Sequence, residues 1–286
     1  MKWKGARQSD NFKDRRGNSG GKLVLGGVGG VIIILLSLFF GGNPDQLFEQ
    51  FQGANLQGNS EPVEISAEEA ELTEFARVIL ASTEEVWDEI YPQAGLSSYR
   101  YSTLSVFRDR VDTEGCGVGL AQFGPFYCPA NEEVFLDLSF NDELKNRFGV
   151  KGEFALAYVI AHEIGHHVQL QQGSLPQVQA LRGQIPEAQF NKIMVQLELQ
   201  ADFYAGIWAH YASKYSGVEL SYQDIVEGMK AASAVGDDAI QMQSQGYVVP
   251  ESFTHGTSEQ RSYWFKLGYD TGDVSKGDTF NHPSLQ

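Results

Sequence analysis

The chain has 286 residues, of which 42% are hydrophobic, and a formal net charge of −16 at pH 7. This composition excludes a largely disordered chain and suffices for one large domain or two small ones. The charge is uneven, because residues 1–22 carry seven basic and two acidic side chains, whereas 14 Lys and Arg face 35 Asp and Glu after residue 40. A surface this acidic argues against nucleic acid as a partner, because phosphate binding needs a patch of basic side chains.

An uncharged apolar run, LVLGGVGGVIIILLSLFF at residues 23–40, separates these two parts. Its 18 residues are the lower limit for a transmembrane helix. Because a basic segment precedes it, the positive-inside rule predicts one uncleaved span with residues 1–22 as a cytoplasmic tail. A cleaved signal peptide and a buried core helix are the alternatives. Residues 41–63 then form a linker to an extracytoplasmic domain at 64–286, in the periplasm or at the cell surface.

Strands are predicted in the first half of this domain and helices in the second. Ser66 and Glu69 form a capping box, and apolar residues at helical spacing predict a helix over about 67–90. Short alternating runs within 99–140 predict a small sheet. Further helices are expected at about 153–172, 187–214, 222–234 and 257–268. The order of elements predicts an α+β domain that is mainly helical.

Two cysteines, Cys116 and Cys128, lie in this part of the chain. An even count in an extracytoplasmic domain favours a disulfide, with two free buried thiols as the alternative. A cysteine-based metal site is disfavoured, because the spacing does not match a Cys-x-x-Cys motif.

The segment YVIAHEIGHHVQLQQG, residues 158–173, is apolar until its centre and then places His162, Glu163 and His166 together. Residues four apart on a helix differ by about 40° of rotation, so both imidazoles emerge on one face and can share a Zn²⁺. Glu163 lies about 100° further round, where it can take a proton from a zinc-activated water. This is the H-E-x-x-H pattern, and its alternative is a polar helix face with solvated histidines.

Two histidines leave a catalytic zinc one protein ligand short. Glu198 and Asp202 lie four apart in a later helix, so Glu198 can complete a His₂Glu set. Asp202 can accept a hydrogen bond from the other nitrogen of a ligand imidazole. His210 is a competing ligand if the helix is placed differently. One zinc per chain is expected.

A late segment, ESFTHGTSEQRSYWF, adds His255 and Arg261 as candidate catalytic residues. Thr257 and Gln260 form a capping box for the helix that begins there. A positioned imidazole or guanidinium can stabilise the negative charge that develops on a carbonyl oxygen during peptide hydrolysis. A loop histidine and a salt-bridged arginine are the structural alternatives.

Several blocks in order resemble a bacterial neutral zinc metallopeptidase family of single-span membrane proteins. These blocks are KWKGARQSDNFKDRR, GPFYCPANEEVFLDLSF, AHEIGHHVQ, ELQADFYAGIWA and HGTSEQRSYWF. The second half is also similar to gluzincin peptidases, which pair H-E-x-x-H with E-x-x-x-D and a later His and Arg. The resemblance implies a zincin-like fold after one N-terminal transmembrane helix, with His255 stabilising the transition state and Arg261 supporting it or anchoring substrate.

The favoured function is therefore a membrane-anchored zinc endopeptidase, with Glu163 as general base and a peptide or protein as substrate. One alternative is a non-catalytic binding or assembly module of the cell envelope, in which a fourth ligand such as His210 or His282 closes the zinc site. A zinc hydrolase for a non-peptide bond is another. Strand 133–140 is a candidate to hold an extended substrate along a sheet edge, or else an ordinary core strand.

Overall fold

The computed structural model describes residues 1–17, 64–150 and 153–286. These form a mostly helical architecture with a small sheet, in keeping with the α+β part of the prediction. The strands are β1 (Phe12–Asp14), β2 (Thr103–Phe107), β3 (Arg110–Asp112), β4 (Val118–Leu120), β5 (Phe126–Cys128) and β6 (Glu133–Asp137). The helices are α1 (Ala67–Gln93), α2 (Phe140–Asn146), α3 (Glu153–Gln172), α4 (Ser174–Ala180), α5 (Glu187–Tyr215), α6 (Tyr222–Ala234), α7 (Asp237–Gln245) and α8 (Ser258–Thr271).

The main sheet has the order β1-β2-β6-β5, with parallel pairing except between β5 and β6. Strand β6 lies in the interior, pairs on both sides and is buried along its length. The prediction that residues 133–140 offer a sheet edge to substrate is therefore wrong. The edge on that side is β5, and β3 and β4 form a separate antiparallel hairpin.

Helix α1 begins where its capping box predicts. The Ser66 hydroxyl accepts a hydrogen bond from the Glu69 amide at 3.1 Å, and the Glu69 carboxylate accepts one from the Ser66 amide at 3.1 Å. The helix continues to Gln93, with Pro92 in its last turn. Thr257 and Gln260 cap α8 in the same way.

Helices α3 and α5 cross closely because small residues lie at their contact. A Cβ atom added at Gly165 would meet the Ala201 carbonyl oxygen at 2.9 Å and its Cα at 3.0 Å. Real Cβ atoms essentially never approach backbone so closely, so only glycine permits this crossing. The crossing lies one turn from His162 on α3 and from Glu198 on α5, and it thereby fixes the separation of the candidate metal ligands.

The basic N-terminal segment packs against the acidic domain. Strand β1 pairs with β2, and the indole of Trp3, only 3% exposed, donates a hydrogen bond to the Glu153 carboxylate at 3.0 Å. The buried Glu84 carboxylate accepts hydrogen bonds from Arg7 at 2.7 Å and from Ser9 at 2.6 Å. A single span would place residues 1–22 and the domain at 64–286 on opposite sides of a membrane, which these contacts contradict.

No helix within the described ranges is long and apolar enough to cross a membrane. The prediction of an N-terminal transmembrane helix is therefore wrong. The prediction of a single-pass membrane protein with an extracytoplasmic domain is wrong as well. The segment on which that prediction rested, residues 23–40, lies outside the described residues, as does the predicted linker at 41–63.

Candidate metal and catalytic site

Three side chains from α3 and α5 converge on one point. The Nε2 atom of His162 lies 3.1 Å from one carboxylate oxygen of Glu198, and the Nε2 atom of His166 lies 3.5 Å from the other. One donor atom from each of the three residues falls within 4.8 Å of the other two, and all three side chains are buried. No fourth His, Cys, Asp or Glu joins this group in the described part of the chain.

Asp202 fixes the position of His162 through the ring nitrogen that faces away from Glu198. The Nδ1 atom of His162 lies 2.8 Å from Asp202 Oδ1, to which the Tyr158 hydroxyl also donates at 2.5 Å. Arg261 donates to both oxygens of Asp202, at 2.8 Å and 2.9 Å. Burial alone would raise the pKa of Asp202, but Arg261 and His162 lower it to about 2. Asp202 is therefore an anion that holds the proton of His162 on Nδ1 and leaves Nε2 free to coordinate.

The position of His166 is fixed by Gln169. The Nδ1 atom of His166 lies 2.8 Å from the Gln169 amide oxygen, which can only accept a hydrogen bond. The Gln169 amide nitrogen donates to the Leu197 carbonyl at 2.6 Å, so the orientation of the amide is set by the neighbouring helix. Both imidazoles thus donate from Nδ1 and direct Nε2 toward Glu198.

The charges of the cluster favour a cation at its centre. Burial disfavours imidazolium, yet Asp202 and Glu198 outweigh it and raise the pKa of His162 to about 10. Burial likewise opposes charge on His166, but Glu198 raises its pKa. The pKa of Glu198 is held well below its usual range by His166 and His255, against the effect of burial. Without a metal, these groups must bind a proton where a cation would otherwise lie.

Glu163 lies beside the cluster without belonging to it. Its carboxylate is buried in the wall of the same pocket and receives no hydrogen bond from any described residue. Burial raises the pKa of Glu163, while His166 and His162 lower it to a smaller extent. A carboxylate with a raised pKa and free lone pairs can accept a proton from a water molecule in the pocket.

His255 enters the pocket from the loop before α8. Its Nε2 atom lies 4.0 Å from a Glu198 oxygen, and its Nδ1 atom lies 2.9 Å from the Thr254 hydroxyl. Asp237 holds this loop, because one of its oxygens accepts from the amides of Thr254, His255 and Gly256 at 2.8, 2.7 and 3.0 Å. These hydrogen bonds hold the imidazole beside the three candidate metal ligands.

Almost the whole chain matches the sequence pattern of one protein family. Residues 1–280 match the family described as "Putative neutral zinc metallopeptidase". The chain belongs to this family. It is 43% identical over 287 residues to "Uncharacterized protein YpfJ" of Escherichia coli strain K12, covering 98% of this chain and 99% of the relative. It is 41% identical over 214 residues to "Uncharacterized protein Rv2575" of Mycobacterium tuberculosis, covering 71% of this chain and 69% of that protein. No solved structure matches it.

Zinc, which the family description implies, fits these residues. Two imidazole nitrogens and one carboxylate are the ligands of many catalytic zinc sites, and each imidazole has an oxygen acceptor behind it. The other histidines considered from the sequence lie elsewhere. His210 contacts the Tyr269 carbonyl, and His282 packs on Trp264, so neither reaches the cluster.

The predicted disulfide is present. Cys116 lies between β3 and β4, and Cys128 ends β5, so the bond ties the hairpin to the edge of the main sheet. Pro125, Phe126 and Tyr127, which directly precede Cys128, line the pocket. The bond therefore anchors one wall of the site.

Sequence reasoning missed three residues that hold the site: Tyr158, Gln169 and Asp237. Two of them carried a signal, because Tyr158 lies four residues before His162 and Gln169 three residues after His166, on the same face of the helix. Asp237 carried none, because its contact with the loop at 254–256 depends on how α7 meets α8.

Proposed function

We propose that this protein is a zinc-dependent peptidase that hydrolyses peptide bonds, with Glu163 as general base. The observation that carries the proposal is the convergence of His162, His166 and Glu198 in an open pocket, beside a Glu163 carboxylate to which no described residue donates a hydrogen bond. When bound there, zinc supplies a Lewis acid that acidifies water to a pKa of about 7 and polarises a carbonyl. Membership of the metallopeptidase family supports the same reaction class.

The chain's own residues supply the proton transfers. Glu163 is placed to take a proton from the attacking water and to deliver it to the leaving amine. Its raised pKa suits both steps, because a carboxyl group with a pKa nearer neutrality is a stronger base and still a usable acid.

His255 and Arg261 have different roles in this proposal. The His255 imidazole lies in the pocket near Glu198, where a nitrogen donor can stabilise negative charge on the carbonyl oxygen. Arg261 is already bonded to Asp202, to the Val235 carbonyl at 3.0 Å and to the Tyr158 hydroxyl at 3.2 Å. These bonds favour support of the His162–Asp202 pair over direct binding of substrate.

The non-catalytic alternative, a zinc-stabilised binding module, needs a closed site with four protein ligands. The described residues contribute three ligands, and all three line the pocket. The geometry therefore favours hydrolysis.

A matched pair of variants tests the proposal. The full chain is purified, its zinc content is measured, and cleavage of casein and of a peptide library is followed with and without chelator. We expect one zinc per chain, cleavage that chelator abolishes, and a Glu163→Gln variant that keeps zinc but loses activity by at least about 10²-fold. Glu187→Gln, at an exposed glutamate, is the control and should cleave normally. A zinc-loaded wild type that cleaves no peptide would contradict the proposal.

A further inference from the structure

The pocket extends from the three candidate metal ligands along the first turns of α5. Phe190, Met194 and Leu197 line it from one face of that helix, and Glu198 continues the same face. Leu175 on α4 adds a further apolar side chain, and these four residues belong to one hydrophobic cluster. The three side chains on α5 span seven residues, or about 10 Å along the helix axis, which is the length of about three residues of an extended peptide. This apolar wall can therefore contact more than one residue of a bound peptide.

One cation, Arg182, lies in this apolar wall. It follows α4 in the chain, and its guanidinium carbon lies 4.7 Å from the centre of the Phe190 ring. Its Nε atom is buried and has no hydrogen-bond partner among the residues that the structure describes, and burial lowers the pKa of the side chain. The other arginine that lines the pocket, Arg261, is bonded to both oxygens of Asp202. Arg182 therefore brings into the pocket a positive charge that forms no ion pair with a carboxylate of the described residues.

Stacking on Phe190 holds this charge at a set distance from the candidate metal site. Phe190 and Glu198 are eight residues apart on α5, which corresponds to about 12 Å along the helix axis. An extended peptide advances about 3.3–3.6 Å per residue, so three or four residues span that distance. The guanidinium fork is suited to a carboxylate, which it can bind through two parallel hydrogen bonds.

We propose that Arg182 binds a carboxylate of the peptide substrate, three or four residues from the cleaved bond. The inference rests on the proposed peptidase function and adds a substrate class to it. The carboxylate is either an Asp or Glu side chain or the C-terminal carboxylate of a short peptide. The residues between it and the cleaved bond contact the apolar face of Phe190, Met194 and Leu197.

Two series of quenched fluorescent peptides, assayed with the zinc-loaded full chain, separate these sources. In one series a single Glu or Gln is moved through the four positions on each side of the cleaved bond. In the other, short peptides end in a free carboxylate or an amide. We expect kcat/KM to rise about tenfold or more for the acidic member of one pair, as for a charge-assisted hydrogen bond.

Variants of Arg182 test whether this residue causes the preference for the acidic peptide. Arg182→Gln should abolish it, and Arg182→Glu should reverse it in favour of Lys at the same position. The reversal is a gain that misfolding cannot imitate. Arg110→Gln is the control, because Arg110 also makes no side-chain hydrogen bond or ion pair with described residues but lies outside the pocket.

The outcomes separate this inference from the function on which it rests. Cleavage by the wild type without any acidic preference, or a preference that survives in Arg182→Gln, overturns the role of Arg182 and leaves the peptidase proposal intact. If no peptide of either series or of the library is cleaved, the peptidase proposal fails and this inference fails with it.

Discussion

Replacing Asp202 by Asn perturbs a buried carboxylate that four hydrogen bonds hold in the site. Asp202 is 0% exposed, and it accepts hydrogen bonds from Tyr158, from His162 and from two nitrogens of the Arg261 guanidinium. Asn offers one acceptor oxygen in place of two and turns an amide donor toward the remaining donors. Arg261, which is 3% exposed, would be left as an unpaired buried charge.

The expected cost follows from that burial. Breaking a buried ion pair by removing one partner destabilises a protein by about 3–5 kcal/mol, and solvent does not screen this pair. Urea unfolding of metal-free wild type and Asp202→Asn should therefore differ by about 3–5 kcal/mol. Zinc affinity, measured by competition with a chelating dye, should fall about 10–100-fold, because His162 loses its partner.

Two further variants complete this experiment. Asp142→Asn, at an exposed residue 3.8 Å from Lys145, should change stability by no more than about 0.5 kcal/mol. Adding Arg261→Gln to Asp202→Asn should restore about 1 kcal/mol or more, because it removes the orphaned charge. A cost below about 1 kcal/mol for Asp202→Asn, or no recovery in the double variant, would refute the reasoning.

Three further predictions concern the surroundings of the site. Trp3→Ala should destabilise the full chain by about 3–5 kcal/mol in urea unfolding, because it empties a buried indole site between the N-terminal segment and the domain. Cys116→Ser should remove the bond to Cys128 and cost about 3 kcal/mol while zinc content stays at one per chain. Asp237→Asn should lower kcat with zinc retained, because His255 loses the carboxylate that holds its loop. Burial would raise the pKa of Asp237, but hydrogen bonds from His255 and neighbouring amides hold it below 3.8. Its stabilisation is thus complete above about pH 4 and lost as pH falls through the folded pKa, so unfolding of Asp237→Asn should depend less on pH in acid. Unchanged acid unfolding would contradict that role.

The local chemistry of the helices was readable in the sequence. Capping boxes at Ser66 and Thr257 mark two helix starts, and the four-residue spacing of His162 and His166 puts both imidazoles on one face of α3. These features depend only on neighbours within one element, so periodicity alone predicts them.

The errors arose where contacts between distant segments decide the outcome. The positive charge of the N-terminal segment predicts a cytoplasmic tail, yet its Lys and Arg side chains pair with buried carboxylates of the domain, such as Glu84 and Glu133. Strand β6 was a candidate edge strand because the sequence of a strand does not show which other strands pair with it. Arg182 gave no signal in the sequence, since its burial depends on how α4 packs against the start of α5.

The most direct measurement is anomalous diffraction at the zinc edge from crystals of the zinc-loaded full chain. We expect one peak at about 2.0–2.2 Å from His162 Nε2, His166 Nε2 and a Glu198 carboxylate oxygen, with a water molecule as the remaining ligand. A peak at another place, or a fourth protein atom bound to the zinc, would contradict the assignment of this site to hydrolysis.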